Sequence, residues 1–198
     1  MTQQLFRRRL GEMLLEDQLI DGNDLLQALD YAEQNRIPLG RSLLALGSID
    51  KETLALYLEK QLGESLVERS MMNHAQLEDA FSRALSSGTT FGRIIVRLGY
   101  VQDEDLAEII AEDYDLPCMH FHHLNVDPDV AAMISREQAL NTLFLPVERD
   151  GDILTVATAR PFDELTVSEL EAVSGLKVGL LVVPERELTL GIRQYLPD

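Results

Sequence analysis

Residues 39–61 read LGRSLLALGSIDKETLALYLEKQ, and the fold follows from how this stretch is divided. Its opening, LGRSLLALG, is a short helix closed by Gly47, because glycine adopts the left-handed conformation of a helix end at no steric cost. Asp50 is a good N-cap for a second helix. Ile49 before that cap and Leu54 after it form a hydrophobic staple. Leu54 and Leu58 then share one face at i, i+4 spacing. The unit is a short helix, a turn and a longer helix.

The same register occurs four times. Leu10-Gly11, Leu39-Gly40, Leu62-Gly63 and Phe91-Gly92 open the four copies. Leu14, Leu43, Leu66 and Ile95 follow in register, then Ile20, Ile49, Met72 and Val101. Leu25, Leu54, Leu77 and Leu106 come next, and Leu29, Leu58, Phe81 and Ile110 last. The first and second copies are offset by 29 residues, as are the third and fourth. Self-similarity at a fixed period marks a repeat architecture, here two tandem pairs of one two-helix unit over residues 9–113. Asp21, Asp50 and Asn73 are favourable caps, and Gln102 is a poor one. Gly99 matches Gly47, but copies one and three have Gln18 and Ser70 there, which predicts turns of a different kind.

From Leu116-Pro117 the texture changes, which places a boundary near residues 114–117. Residues 128–140 read as a helix. Leu143–Glu148 and Ile153–Thr158 are β-rich runs around Asp150-Gly151, a hairpin turn signal. Residues 164–174 read as a helix ended by Gly175, 177–183 as an apolar strand, and 185–195 as a last helix. The expected fold is mostly α with a C-terminal α+β subdomain: tandem helix-pair repeats, then a small three-stranded sheet with helices on one face. Its divisions are 1–61, a first repeat pair; 62–117, a second; and 118–198, the small α+β subdomain.

Composition narrows the function. The chain has 198 residues and a formal charge of −17, with 45% hydrophobic side chains, so a folded core is expected. The charge is least negative in residues 1–61, net −3, against −7 in each of 62–117 and 118–198. That first part contains Arg7, Arg8 and Arg9 in a row. The acidity argues against DNA or RNA, which require a basic face. No apolar run is long enough to span a membrane, and the N-terminus has no apolar signal region. The single cysteine, Cys118, suits a reducing cytosol, so a cytoplasmic location is expected.

Catalytic motifs are missing: no phosphate loop, no nucleophile elbow and no His-Glu-x-x-His pair, so a non-catalytic protein is expected. In an extended chain Cys118, His120 and His122 would share one face, and thiolate and imidazole are zinc ligands. No distant cluster completes a metal site, and the alternative is a linker strand whose Met119 and Phe121 pack while the histidines face water. The Leu-Gly pairs carry more. Glycine admits a backbone or a ligand at close range, and a guanidinium such as that of Arg9 pairs with phosphate and stacks on a base. The alternative is that the glycines permit close helix crossing and the arginines form a basic arm.

Copies one and two resemble the MshEN domain, the N-terminal domain of type II secretion and type IV pilus ATPases. Its pattern is R-L-G-x-x-[LI]-x-x-x-G, followed by Leu, Leu and Gln, in two units separated by five residues. Arg9, Leu10, Gly11, Leu14, Leu25 and Leu29 match the first unit. Leu39, Gly40, Leu43, Gly47, Leu54, Leu58 and Gln61 match the second, with residues 33–37 as the spacer. The segment 118–198 resembles the family's C-terminal subdomain. Gln18 and Ala32 depart from the first unit's Gly and Gln, and Pro38 from the second unit's Arg. In the second pair Gln61 and Thr90 stand at the arginine positions, and Ala84 and Asp113 at those of the final Gln.

The resemblance implies a bacterial, cyclic-di-GMP-binding regulatory module with no other cofactor. Leu10, Leu14, Leu25, Leu29 and their second-unit counterparts would give apolar contact. Gly11 and Gly40 would admit phosphate, and Arg9 and Gln61 would read guanine or phosphate. The second pair would be structural. The implied partner is a secretion or pilus ATPase or a membrane glycosyltransferase. The alternative is a nucleotide-independent helical adaptor with a degenerate motif.

Overall fold

A computed structural model describes residues 10–196, so Arg7, Arg8 and Arg9 lie outside the described residues. It divides into two compact units, one up to Gln102 and one from Asp103 onward. The sequence boundary at 114–117 therefore differs from the packing boundary. The helix at residues 103–114 is the last of the fourth copy by register, yet it packs with the sheet unit.

The first unit is helical. Residues 10–16 are α1. It is followed by α2 (Gly22–Asn35), α3 (Leu39–Ala45), α4 (Lys51–Glu68), α5 (His74–Ser87) and α6 (Phe91–Arg97). Helices α2 and α5 have 14 residues each, and α3 and α6 have 7 each. Asp21 caps α2 by accepting from the backbone N–H groups of Asn23 and Asp24, and Asn73 caps α5 by accepting from Gln76. Both are capping boxes, which satisfy the free donors of a helix start reciprocally.

The four short helices end alike. Gln18, Gly47, Ser70 and Gly99 have φ of 57°, 71°, 59° and 71°. In each case the next residue's N–H donates to a carbonyl five back: Leu19 to Leu14, Ser48 to Leu43, Met71 to Leu66 and Tyr100 to Ile95, at 2.9–3.0 Å. This is the Schellman closure. The expectation of different turns at Gln18 and Ser70 is thus corrected: the backbone bonds hold these side-chain-bearing residues in the left-handed region despite its cost. A second difference is that α4 runs unbroken through Gln61-Leu62-Gly63, fusing the long helix of copy two to the short helix of copy three.

The second unit contains α7 (Asp103–Tyr114), a 3₁₀ turn at Phe121–His123, α8 (Pro128–Ala131), α9 (Arg136–Thr142), β1 (Phe144–Asp150), β2 (Ile153–Thr158), α10 (Glu164–Ser174), β3 (Lys177–Val182) and α11 (Glu185–Tyr195). Strands β1 and β2 pair antiparallel around Gly151, with β3 parallel to β2. The single helix expected over 128–140 is two helices, because Ser135 and Gln138 form a capping box that starts α9. The helices also lie on both faces of the sheet, not one. Leu145, Val147, Ala157 and Leu181 pack with Leu188 and Ile192 of α11, whereas Phe144, Leu154 and Val156 pack with Leu170 of α10. Neighbouring strand residues point to opposite faces, so the run Leu143-Phe144-Leu145 needs cover on both. Among the described residues no helix is long and apolar enough to cross a membrane.

Candidate nucleotide site

The Leu-Gly pairs that open the first three copies put their glycine under a leucine of the same copy, fourteen residues on. A Cβ added at Gly11 would lie 2.7 Å from Leu25 Cδ1 and 3.5 Å from Leu39 Cδ2. At Gly40 it would lie 3.0 Å from Leu54 Cδ1. At Gly63 it would overlap Leu77 and approach the rings of Phe81 and Phe91 at 3.2 and 3.3 Å. The glycines therefore permit close helix crossing, and Gly11 also brings the first unit against Leu39 of the second.

The remaining site residues divide by exposure. Leu10, Leu14, Leu39, Leu43, Leu54 and Leu58 are buried, as are Gly11, Gly40 and Gln61. Leu25 is half-buried and Leu29 is 39% exposed. Gly47 is exposed, and a Cβ there would meet nothing within 4 Å. Ala32 is buried like Gln61, so the final position of both first-pair units faces inward. Pro38 and Thr90 occupy matching backbone at the starts of α3 and α6, with φ −62° and −63°. Proline there supplies neither a guanidinium nor an N–H donor. Arg9 lies outside the described residues.

A polar tie joins the two copies of the first pair. The Tyr57 hydroxyl donates to the Asp17 carboxylate, and Lys60 Nζ lies 3.4 Å from the same oxygen. Hydrogen bonds from Tyr57 and Lys60 hold the Asp17 carboxyl below its ordinary value of 3.8. Burial, then the bond to Asp17, push the Tyr57 phenol up to about 12. Beside this tie is a groove of about 620 Å³. Among the described residues, Glu12, Glu16, Asp17, Glu64, Glu68 and Glu78 line it against Lys60 as the one basic residue. None of the described candidate ligand residues lines it, and the acidic excess of its described lining disfavours phosphate.

Cys118, His120 and His122 do not alternate along an extended strand. Cys118 bridges to Val182, and the chain then turns in the 3₁₀ helix. Phe121 packs as expected, against the core below α11, whereas Met119 is 39% exposed. Glu187, 67 residues from His120, joins the histidines. No local spacing could have identified it.

Residues 114–198 match the family model of the MshEN domain. The type IV pilus assembly ATPase PilB of Myxococcus xanthus is 27% identical over 135 residues, covering 68% of this chain and 24% of that protein. Type II secretion system protein E of Xanthomonas campestris pv. campestris is 31% identical over 131 residues, covering 63% of this chain and 23% of that protein. The chain thus spans about a quarter of the length of these curated relatives. A solved structure of MshE with cdg is 27% identical, covers 68% of this chain and 97% of its own, and has a TM-score of 0.56. These matches are longer than the family segment and reach into the helical unit. Residues 114–198 are thus similar to the MshEN domain, and the similarity to its relatives extends beyond them.

Proposed function

We propose that the chain is a cyclic-di-GMP-responsive regulatory module, cytoplasmic and non-catalytic, which acts on a partner or tethered effector. The observation that carries this is the likeness to MshE, whose structure was solved with cdg, that is, cyclic di-GMP. The first repeat pair is the better site. It has the least negative charge, and its Leu25 and Leu29 remain partly exposed beside Gly11. Arg9 supplies the cation for a phosphate or guanine. Similarity to pilus and secretion ATPases supports such an ATPase as the effector, with membrane glycosyltransferase machinery as the other candidate. Calorimetric titration of the whole chain with cyclic di-GMP tests the proposal. Saturable binding that weakens on Arg9→Ala supports it, and no binding at high ligand concentration overturns it.

A nucleotide-independent helical adaptor is favoured by a different observation. Six of the eight first-pair leucines and Gln61 are already buried in the helical core, and Gln18, Ala32 and Pro38 depart from the ligand motif. A chain that binds no nucleotide yet retains its effector would be such an adaptor.

A further inference from the structure

Residues 117–123 are fastened to the second unit from both ends. Val182 N–H donates to the Pro117 carbonyl at 2.8 Å, and Met119 N–H donates to Val182 at 2.9 Å. Phe121 N–H donates to Glu187 Oε2 at 2.7 Å. The Phe121 ring lies directly over Gly191, where any Cβ would collide with it. The backbone is therefore fixed, and the histidine rings project outward. His120 Nδ1 lies 2.8 Å from Glu187 Oε1. The ring centroid of His122 is 5.5 Å from that of His120 and 3.9 Å from that of His123.

His120, His122 and Glu187 each present one donor atom, and these atoms all lie within 4.8 Å of one another. Two imidazoles and a carboxylate with open positions form a donor set for a borderline divalent metal. Calcium and magnesium prefer oxygen alone. A tetrahedral zinc with bonds of about 2.0–2.2 Å needs donors about 3.3 Å apart. The His120–Glu187 pair must therefore open by about half an ångström and the His122 ring must close in, which side-chain rotation on an exposed surface permits. Glu104 and Glu108 add negative charge around His120. Cys118 lies outside the set; partial desolvation, with Glu108 and Glu187 nearby, pushes its thiol up and keeps it protonated.

We propose that His120, His122 and Glu187 bind a zinc-type divalent cation that pins the chain entering the sheet to the first turn of α11. The site is independent of the nucleotide proposal and lies in the other compact unit. The test is calorimetric titration of the full chain with Zn²⁺, alone and with excess Mg²⁺. One saturable site unaffected by Mg²⁺ is expected. His122→Ala should weaken it about 10-fold or more, since even outer-shell losses cost that much in metal sites. His122 is exposed, so the variant should fold normally; Glu187→Gln, whose amide oxygen can still accept from the Phe121 N–H, is the second variant and should weaken the site likewise. His74→Ala, in the helical unit, should leave the affinity unchanged. Absence of a saturable site, or equal affinity in wild type and His122→Ala, overturns the proposal.

Discussion

The first and second repeat pairs share the 14-residue α2 and α5, the 7-residue α3 and α6, and the left-handed turns, but they differ over the glycine. At Gly63 the space is filled by Leu77, with Phe81 and Phe91 stacked at a centroid distance of 4.3 Å and 12° between planes. At Gly11 the register equivalents are Leu25, Leu29 and Leu39. Leu39 is buried, Leu25 is half-buried, and Leu29 is 39% exposed. One backbone thus carries a stacked aromatic pair in one repeat pair and a partly exposed aliphatic seat in the other, with a leucine over the glycine in both. In the proposed nucleotide reading, the residue at the Leu29/Phe81 position would decide whether this place is open to a ligand.

The sharpest way to break this contrast is to compare Leu14→Ala with Leu29→Ala. Leu14 is fully buried, so its truncation should cost about 2–5 kcal/mol in urea denaturation. Leu29→Ala should cost about 0.5 kcal/mol or less while weakening cyclic-di-GMP binding. Equal losses of stability would mean that the seat is closed. Next come the glycines. Gly63→Ala overpacks Leu77 and should cost about 1–3 kcal/mol. Gly40→Ala meets Leu54 at a gentler 3.0 Å, and alanine's helix preference of about 1 kcal/mol offsets the crowding, so it should be near neutral. A large loss at Gly40 would erase the distinction.

The smallest effect concerns the Asp17–Tyr57 tie. Asp17 titrates below 3.8 in the folded chain, so its contribution is complete above that pH and is lost as pH falls through the lower folded value. Tyr57 titrates near 12, so its contribution is present below pH 10 and is lost as pH rises from 10 toward 12. Asp17→Asn should flatten both limbs of a stability–pH profile slightly. An unchanged profile would show that the tie contributes nothing.

The repeat was legible because caps and staples are local: Asp21, Asp50 and Asn73 announce their helices. The turns at Gln18 and Ser70 were not, because the left-handed conformation there is set by backbone bonds and not by the residue. The fusion within α4 was hidden because Gln61-Leu62-Gly63 carries no stop signal. The break before α9 could have been found, since Ser135 and Gln138 have the capping-box spacing. Helices on both sheet faces were foreshadowed by the unbroken apolar run at 143–145. Of the candidate site, the leucine register was legible but its burial was not, because Leu29 and Leu58 hold the same register position yet only Leu58 is covered by tertiary packing.

The most direct test titrates cyclic di-GMP into the wild-type chain and into Arg9→Ala, Arg7→Ala and Arg8→Ala at one salt concentration, because screening changes every charge effect. The whole chain is used, because a cut between the repeat pairs at residue 62 would sever α4. A hydrogen bond to a charged group contributes about 1.5–3 kcal/mol, so Arg9→Ala should weaken binding about 10-fold to 150-fold. The other two variants should change it much less, and thermal stability without ligand should barely move in any of them. Equal losses in all three, or no binding by the wild type, would contradict a nucleotide site in the first repeat pair.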